Sequence, residues 1–188
     1  GPISPGTLRI EILEEPNTLD HRFIPLEADL GEILQRPRDC ARVSEGDYPF
    51  ELYRWNLLPN FLFFDYDDYQ VQSEMLTRLA YFVEKRVGAG RILSDGELEG
   101  RYGWNAHDYR GEDLARFFSQ AQKQEIQLNR LEYLLRDILE VNGIIEPIAP
   151  GTYQAGEGGI LSISRESSPR LRRLFLIHEG YHGLFFSN

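Results

Sequence analysis

Apolar residues recur at every second position in several short runs, and this spacing is typical of half-buried β-strands. Residues 7–13, which read Thr-Leu-Arg-Ile-Glu-Ile-Leu, alternate in this way and predict a strand. Residues 50–55, 60–64 and 160–164 are the other strand-like runs. Residues 61–64 are all apolar, as expected for a central strand that is buried on both faces.

Other segments repeat their apolar residues every three or four positions, which predicts helices. The predicted helices cover residues 69–87, 112–122, 128–141 and 169–186, with shorter ones at 26–35 and 95–102. Ser94 with Glu97 matches a capping box, and Ser168 before Pro169 marks the start of the last helix. We therefore predict an α+β fold that is mostly helical, with a small mixed sheet and a C-terminal helix.

Composition narrows the class of protein. The chain has 188 residues, a formal net charge of −10 and 41% apolar residues, so it can bury a core and is not intrinsically disordered. A net acidic surface repels phosphate, so we expect no nucleic-acid partner. The single cysteine, Cys40, excludes an intrachain disulfide. No apolar stretch approaches the ~20 residues of a membrane-spanning helix.

The two ends of the chain suggest how it is organised. Gly1 and Pro2 resemble the remnant of a cleaved expression tag, so the native N-terminus and the compartment stay open. We divide the rest into an N-terminal α+β region, 3–150, and a segment of strand plus helix, 151–188. The chemistry described next lies close to the last residue, and we expect the chain to be a fragment truncated at 188. The oligomeric state is also open.

The last predicted helix contains the sequence His178-Glu179-Gly180-Tyr181-His182, an H-E-x-x-H motif. Residues at i and i+4 project from one helix face, so the two imidazoles can converge on one zinc ion as ligands. Glu179 can reach a zinc-activated water and act as general base in hydrolysis. Tyr181 points elsewhere on the helix, and we give it no role in catalysis.

This motif and the strand before it resemble the zincin zinc metallopeptidases, over residues 158–188 only. Phe185 and Asn188 stand where the metzincins have a glycine and a third histidine, so the resemblance is to the non-metzincin, gluzincin-like enzymes. It implies Zn²⁺ as cofactor and a peptide or protein substrate, with endopeptidase rather than exopeptidase action. The motif is the only charged part of residues 174–186, so we expect the helix to be buried.

Catalytic zinc sites keep three protein ligands, and the motif supplies two. The third ligand lies beyond Asn188, lies upstream, or is missing from a defunct site; His107 and His21 are upstream candidates. The sequence therefore predicts a zinc metallopeptidase or a fragment of one, weakly active or inactive as it stands. The alternative is a non-catalytic binding module whose motif helix is degenerate or structural.

Overall fold

A computed structural model of the chain describes residues 23–35, 50–85 and 90–186. The predicted strand at 7–13, together with His21 and Cys40, lies outside these residues. The strands are β1 (Leu26–Ala28), β2 (Phe50–Trp55), β3 (Phe61–Tyr66), β4 (Ala106–Arg110), β5 (Ile145–Ala149), β6 (Thr152–Ala155) and β7 (Gly159–Ser164). The helices are α1 (Leu30–Gln35), α2 (Tyr69–Val83), α3 (Asp95–Leu98), α4 (Gly111–Lys123), α5 (Arg130–Val141) and α6 (Pro169–Phe186). The α+β prediction is confirmed.

Five strands form a mixed sheet in the order β1-β2-β3-β7-β4. Strand β3 is parallel to β7, whereas β4 pairs antiparallel with β7 along the sheet edge. Every residue of β3 and of β7 is buried, which accounts for the apolar run at residues 61–64 of β3. Strands β5 and β6 form a separate hairpin.

Alternate residues of the sheet supply two hydrophobic clusters, one on each face. Helices α2, α4 and α5 cover one face, where Leu62 and Phe64 of β3 are buried. Helices α1 and α6 cover the other face, where Phe61 and Phe63 are buried. The motif helix α6 therefore packs on the same face of the sheet as α1. Among the described residues, no helix combines the length and apolarity needed to cross a bilayer.

Local signals set the helix ends much as the sequence indicates. The side chain of Asp68 accepts a hydrogen bond from the amide of Val71 and caps α2. Ser94 and Glu97 form the predicted capping box of α3. Gly143 has φ of 70°, the left-handed conformation that commonly ends a helix.

Four strands were not expected from the sequence. The pattern at 26–35 indicated one helix, but residues 26–28 form β1 and only residues 30–35 are helical. Strand β4 was missed because it carries His107, Asp108 and Arg110, which depress the apolar alternation. Strands β5 and β6 are short, and their residues after Ile145 are exposed or half-buried.

Two glycines let α6 pack closely on the sheet. A Cβ on Gly180 would lie 2.7 Å from Cζ3 of the Trp55 ring, and one on Gly183 would lie 2.8 Å from a methyl carbon of Leu58. Trp55 and Leu58 are themselves buried. Helix α6 can therefore pack this closely only because residues 180 and 183 have no side chain.

We expect Gly180→Ala to lower the free energy of unfolding by about 1–3 kcal/mol, because the added methyl group overpacks the core against Trp55. Alanine favours helix, so only tertiary packing predicts this sign. Gly96→Ala is the matched control, since a Cβ there meets nothing within 4 Å, and it should be neutral or stabilising. Urea denaturation measures both variants. Equal or higher stability of Gly180→Ala would contradict the close approach.

Candidate functional site

Hydrogen bonds at its first turn fix the motif helix relative to the sheet. Ser168 Oγ accepts from the amide of Leu171 at 3.3 Å, as its predicted capping role requires. Arg172 Nη2 and Arg165 Nε each donate to Oδ2 of Asp65 at 2.9 Å. Asp65 belongs to β3 and is fully buried, so these charged bonds tie the start of α6 to the central strand.

Helix α6 is not buried all round, so this expectation from the sequence was wrong. Its buried residues, Leu176, Glu179, Gly180 and Gly183, lie on one face. On the other side Leu174 is 58% exposed and Tyr181 is 69% exposed. The absence of charge around the motif therefore reflects an exposed apolar surface as well as a buried one.

The two motif histidines lie side by side near the solvent. Their ring centroids are 4.6 Å apart and the ring planes are tilted by 47°. His178 is exposed, and the side chain of His182 is 43% exposed. The predicted one-turn spacing therefore brings the rings together where a cation from solvent can reach both.

Asp108 in β4 joins the motif from across the sheet edge. Its Oδ2 lies 3.0 Å from Nδ1 of His182. When Asp108 is ionised its oxygen can only accept, so Nδ1 of a neutral His182 carries the proton and the lone pair is on Nε2. A metal-bound histidine commonly donates its other ring N–H to a carboxylate in this manner. The sequence indicated His107, the preceding residue, as a candidate ligand, whereas Asp108 was not predicted.

Glu179 is the buried member of the motif, with 6% of its surface exposed. Burial, followed by the charges of Asp108 and Glu84, raises the pKa of Glu179 to about 8. Burial also raises the pKa of Asp108, against the opposing effect of His182. Ligand atoms of Asp108, Glu179 and His182 all lie within 4.8 Å of one another. The site therefore holds two buried or half-buried carboxyl groups in close proximity.

His107 does not join this group. It points to the sheet face opposite Asp108, as alternation along β4 requires, and Gly103 and Thr77 lie near its ring. Tyr109 Oη donates to Glu84 Oε1 at 2.5 Å and lies 2.8 Å from Nδ1 of His107. The Tyr109 hydroxyl has one proton, so Nδ1–H of His107 donates to it. His107 is therefore committed to a buried polar chain behind β4.

The chemistry of the donor set fits a divalent cation. His178 and His182 offer imidazole nitrogens and Asp108 offers a carboxylate, which are the ligand types that zinc uses in catalytic sites. A cation would also remove the need for the Asp108 and Glu179 carboxyl groups to hold a proton when they are close together. Among the described residues, the ligand atoms that lie within 4.8 Å of one another belong to Asp108, Glu179 and His182, whereas His178 lies beside His182 outside that group.

A cavity of about 520 Å³ opens beside the motif, between the start of β4 and α6. Glu179 and His178 lie at its wall together with Trp104 and Phe175. A ligand in this cavity would contact the motif residues directly. The site thus combines candidate metal ligands, a buried carboxyl group and a space for a ligand.

Comparison with known proteins adds no relative from which a function could be transferred. The chain matches no family model, no curated protein and no solved structure.

Proposed function

We propose that this chain is a zinc-dependent metallopeptidase, or the motif-bearing part of one, that hydrolyses internal peptide bonds. The observation that carries the proposal is the adjacency of the His178 and His182 rings, with their centroids 4.6 Å apart, beside the buried Glu179. Asp108 strengthens it, because this carboxylate orients His182 from a strand distant in sequence.

Each residue has a distinct role in this reaction. His178 and His182 would hold the cation, and Asp108 would orient the His182 ring through its contact with Nδ1. Bound zinc would supply a Lewis acid and lower the pKa of water to about 7. Glu179 takes a proton from the attacking water and then gives it to the nitrogen of the leaving amine. A bound cation would oppose the effects of burial, Asp108 and Glu84 that raise the pKa of Glu179, and would favour the carboxylate form that accepts a proton.

The position of β4 also favours a peptide substrate. Among the strands that the structure describes, β4 pairs with β7 on one side and is the last in the order. An extended peptide can add to such an edge by backbone hydrogen bonds. Helix α6 packs against β4 and β7, so a peptide at this edge would pass close to Glu179.

Zinc binding provides the first test. We expect one zinc ion per chain by metal analysis of purified protein that has been supplied with zinc. His178→Ala and His182→Ala should each abolish stoichiometric binding, because each removes a ligand. Asp108→Asn should weaken zinc binding by about 10–100-fold if Asp108 orients His182. Competition against a chromogenic chelator measures these affinities.

Tyr181→Ala is the matched control for the zinc experiment. Tyr181 lies within the motif but is 69% exposed, and its loss should leave zinc affinity unchanged. Absence of zinc from the wild-type protein, or equal affinity in wild type and His182→Ala, would contradict the proposed metal centre. A loss in Asp108→Asn as large as that in His182→Ala would make Asp108 the third ligand.

The second candidate function is a non-catalytic binding module. The exposure of Leu174, Ile177 and Tyr181 along α6 favours this candidate, since such a row of apolar side chains suits a partner surface. The same zinc measurement separates the two, because a module with a structural motif helix needs no metal.

A further inference from the structure

The cavity beside the motif has mainly apolar walls. At about 520 Å³ it falls within the range of roughly 300–1,000 Å³ that small-ligand sites occupy. Strand β4 and the residues before it supply one wall, and α6 supplies the other. The residues that matter here are Trp104, Ala106, Leu174, Phe175, His178 and Glu179.

The indole ring of Trp104 is held in place although it is 53% exposed. Lys85 Nζ lies 3.2 Å from the ring centroid, close enough for a cation–π contact. Burial raises the pKa of Glu84, but the neighbouring His107, Tyr109 and Trp104 side chains together outweigh it and lower that pKa. An aromatic wall that is already ordered loses little conformational entropy when a ligand binds.

The lining favours the binding of apolar ligands over charged ones. The described residues that line it include no lysine, arginine or aspartate, and Glu179 is the one acidic residue among them. A charged side chain entering here would lose its hydration with few groups to replace it. An aromatic side chain would bury apolar surface and could pack edge-to-face with Trp104 and Phe175. Ala106 is small and leaves depth for such a ring.

We propose that this cavity binds a large aromatic side chain of a peptide, and thereby places the adjacent peptide bond against Glu179. The first half of this inference is a binding preference. The second half rests on the proposed function, because it makes the cavity the specificity pocket of the peptidase.

The test uses blocked hexapeptides that differ at one central position, which is phenylalanine, leucine, alanine or lysine. Zinc-loaded protein should cleave the phenylalanine peptide with a kcat/KM about 10–100-fold above that of the alanine peptide, reflecting burial of the ring. Lysine should be the poorest. Binding of the same peptides to Glu179→Gln protein, measured by isothermal titration, should follow the same order without cleavage.

Trp104→Ala removes the indole ring from the cavity wall and should bring the ratio of kcat/KM for the phenylalanine peptide to that for the alanine peptide close to one. Tyr102→Ala is the matched control: Tyr102 is 67% exposed and is not part of the cavity lining. This variant should keep the wild-type ratio. Ala106→Leu, which fills the cavity from its floor, should reduce cleavage and binding of the phenylalanine peptide more than those of the alanine peptide.

The outcomes separate this inference from the proposed function. Cleavage or binding without an aromatic preference, or a preference that Trp104→Ala leaves intact, overturns the inference while leaving the peptidase. An aromatic preference in binding that Trp104→Ala abolishes, without cleavage by zinc-loaded wild type, supports the cavity and overturns the peptidase. Neither binding nor cleavage of any peptide overturns both.

Discussion

Glu179→Gln is expected to lower peptide hydrolysis by zinc-loaded protein by about 10²–10⁴-fold, the usual contribution of a general base. Glutamine has nearly the same shape, but its amide cannot take a proton from water and return it to the leaving amine. The fold should survive, since glutamine fills the same space and its side-chain amide can donate a hydrogen bond to Asp108 nearby. Steady-state cleavage of a fluorogenic peptide measures the loss.

Two further measurements make this result specific to proton transfer. Zinc affinity of Glu179→Gln should match that of wild type, because the cation is held by the two histidines in this proposal. Glu99→Gln is the matched control, an identical chemical change at an exposed glutamate outside the site. Hydrolysis that persists at wild-type rates in Glu179→Gln would remove the assigned role, and zinc-loaded wild-type protein that cleaves no peptide would remove the function.

Arg78→Met is expected to lower the free energy of unfolding by about 3–5 kcal/mol, the cost of breaking a buried ion pair from one side. The Arg78 side chain is 1% exposed, and its Nε donates to Oε1 of Glu132 at 2.8 Å. Its two other nitrogens donate to the carbonyl of Leu93 and to the carboxylate of Asp95. Methionine fills similar space, so the loss reports the unpaired charge of Glu132, which is 2% exposed at its side chain.

The dependence of this loss on pH follows from Glu132. Burial raises the pKa of Glu132, and Arg78 opposes that rise. Without Arg78 the pKa in the folded state rises further above the unfolded value, so the protonated form becomes favoured on folding. The loss should therefore be largest at neutral pH and should shrink as the pH falls towards the ordinary glutamate value. Urea denaturation at several pH values measures it.

A matched control and a double variant test the assignment to charge. Arg91→Met removes an exposed pair with Glu97 and should cost less than about 1 kcal/mol. Arg78→Met combined with Glu132→Gln should recover part of the stability. The side-chain oxygen of the glutamine can still accept the hydrogen bond from the backbone N–H of Asn129 at the start of α5, and no charge is buried. Equal losses in Arg78→Met and Arg91→Met would show that the buried pair adds no special stability.

Local sequence patterns were sufficient to predict the elements that depend only on residues close together in the sequence. The capping box at Ser94 and Glu97 and the apolar block of β3 were predicted because each depends on a few consecutive residues. Strand β4 could not be recognised in the same way. Its residues His107 and Tyr109 are buried, and β4 is held by pairing with β7 and by packing against α6, which residues 106–110 do not encode by themselves.

In the candidate site, too, some features could be predicted from the sequence and others could not. The i, i+4 spacing of His178 and His182 determined that the two rings would be neighbours, since helix geometry alone sets that relation. The sequence alone also placed Glu179 beside them. Only the tertiary structure decided that Asp108, 74 residues earlier, would meet His182, and that Glu179 would be buried with a raised pKa. Those two facts arise where an edge strand and a glycine-bearing helix pack together, and contacts so distant in sequence leave no periodic pattern along the chain.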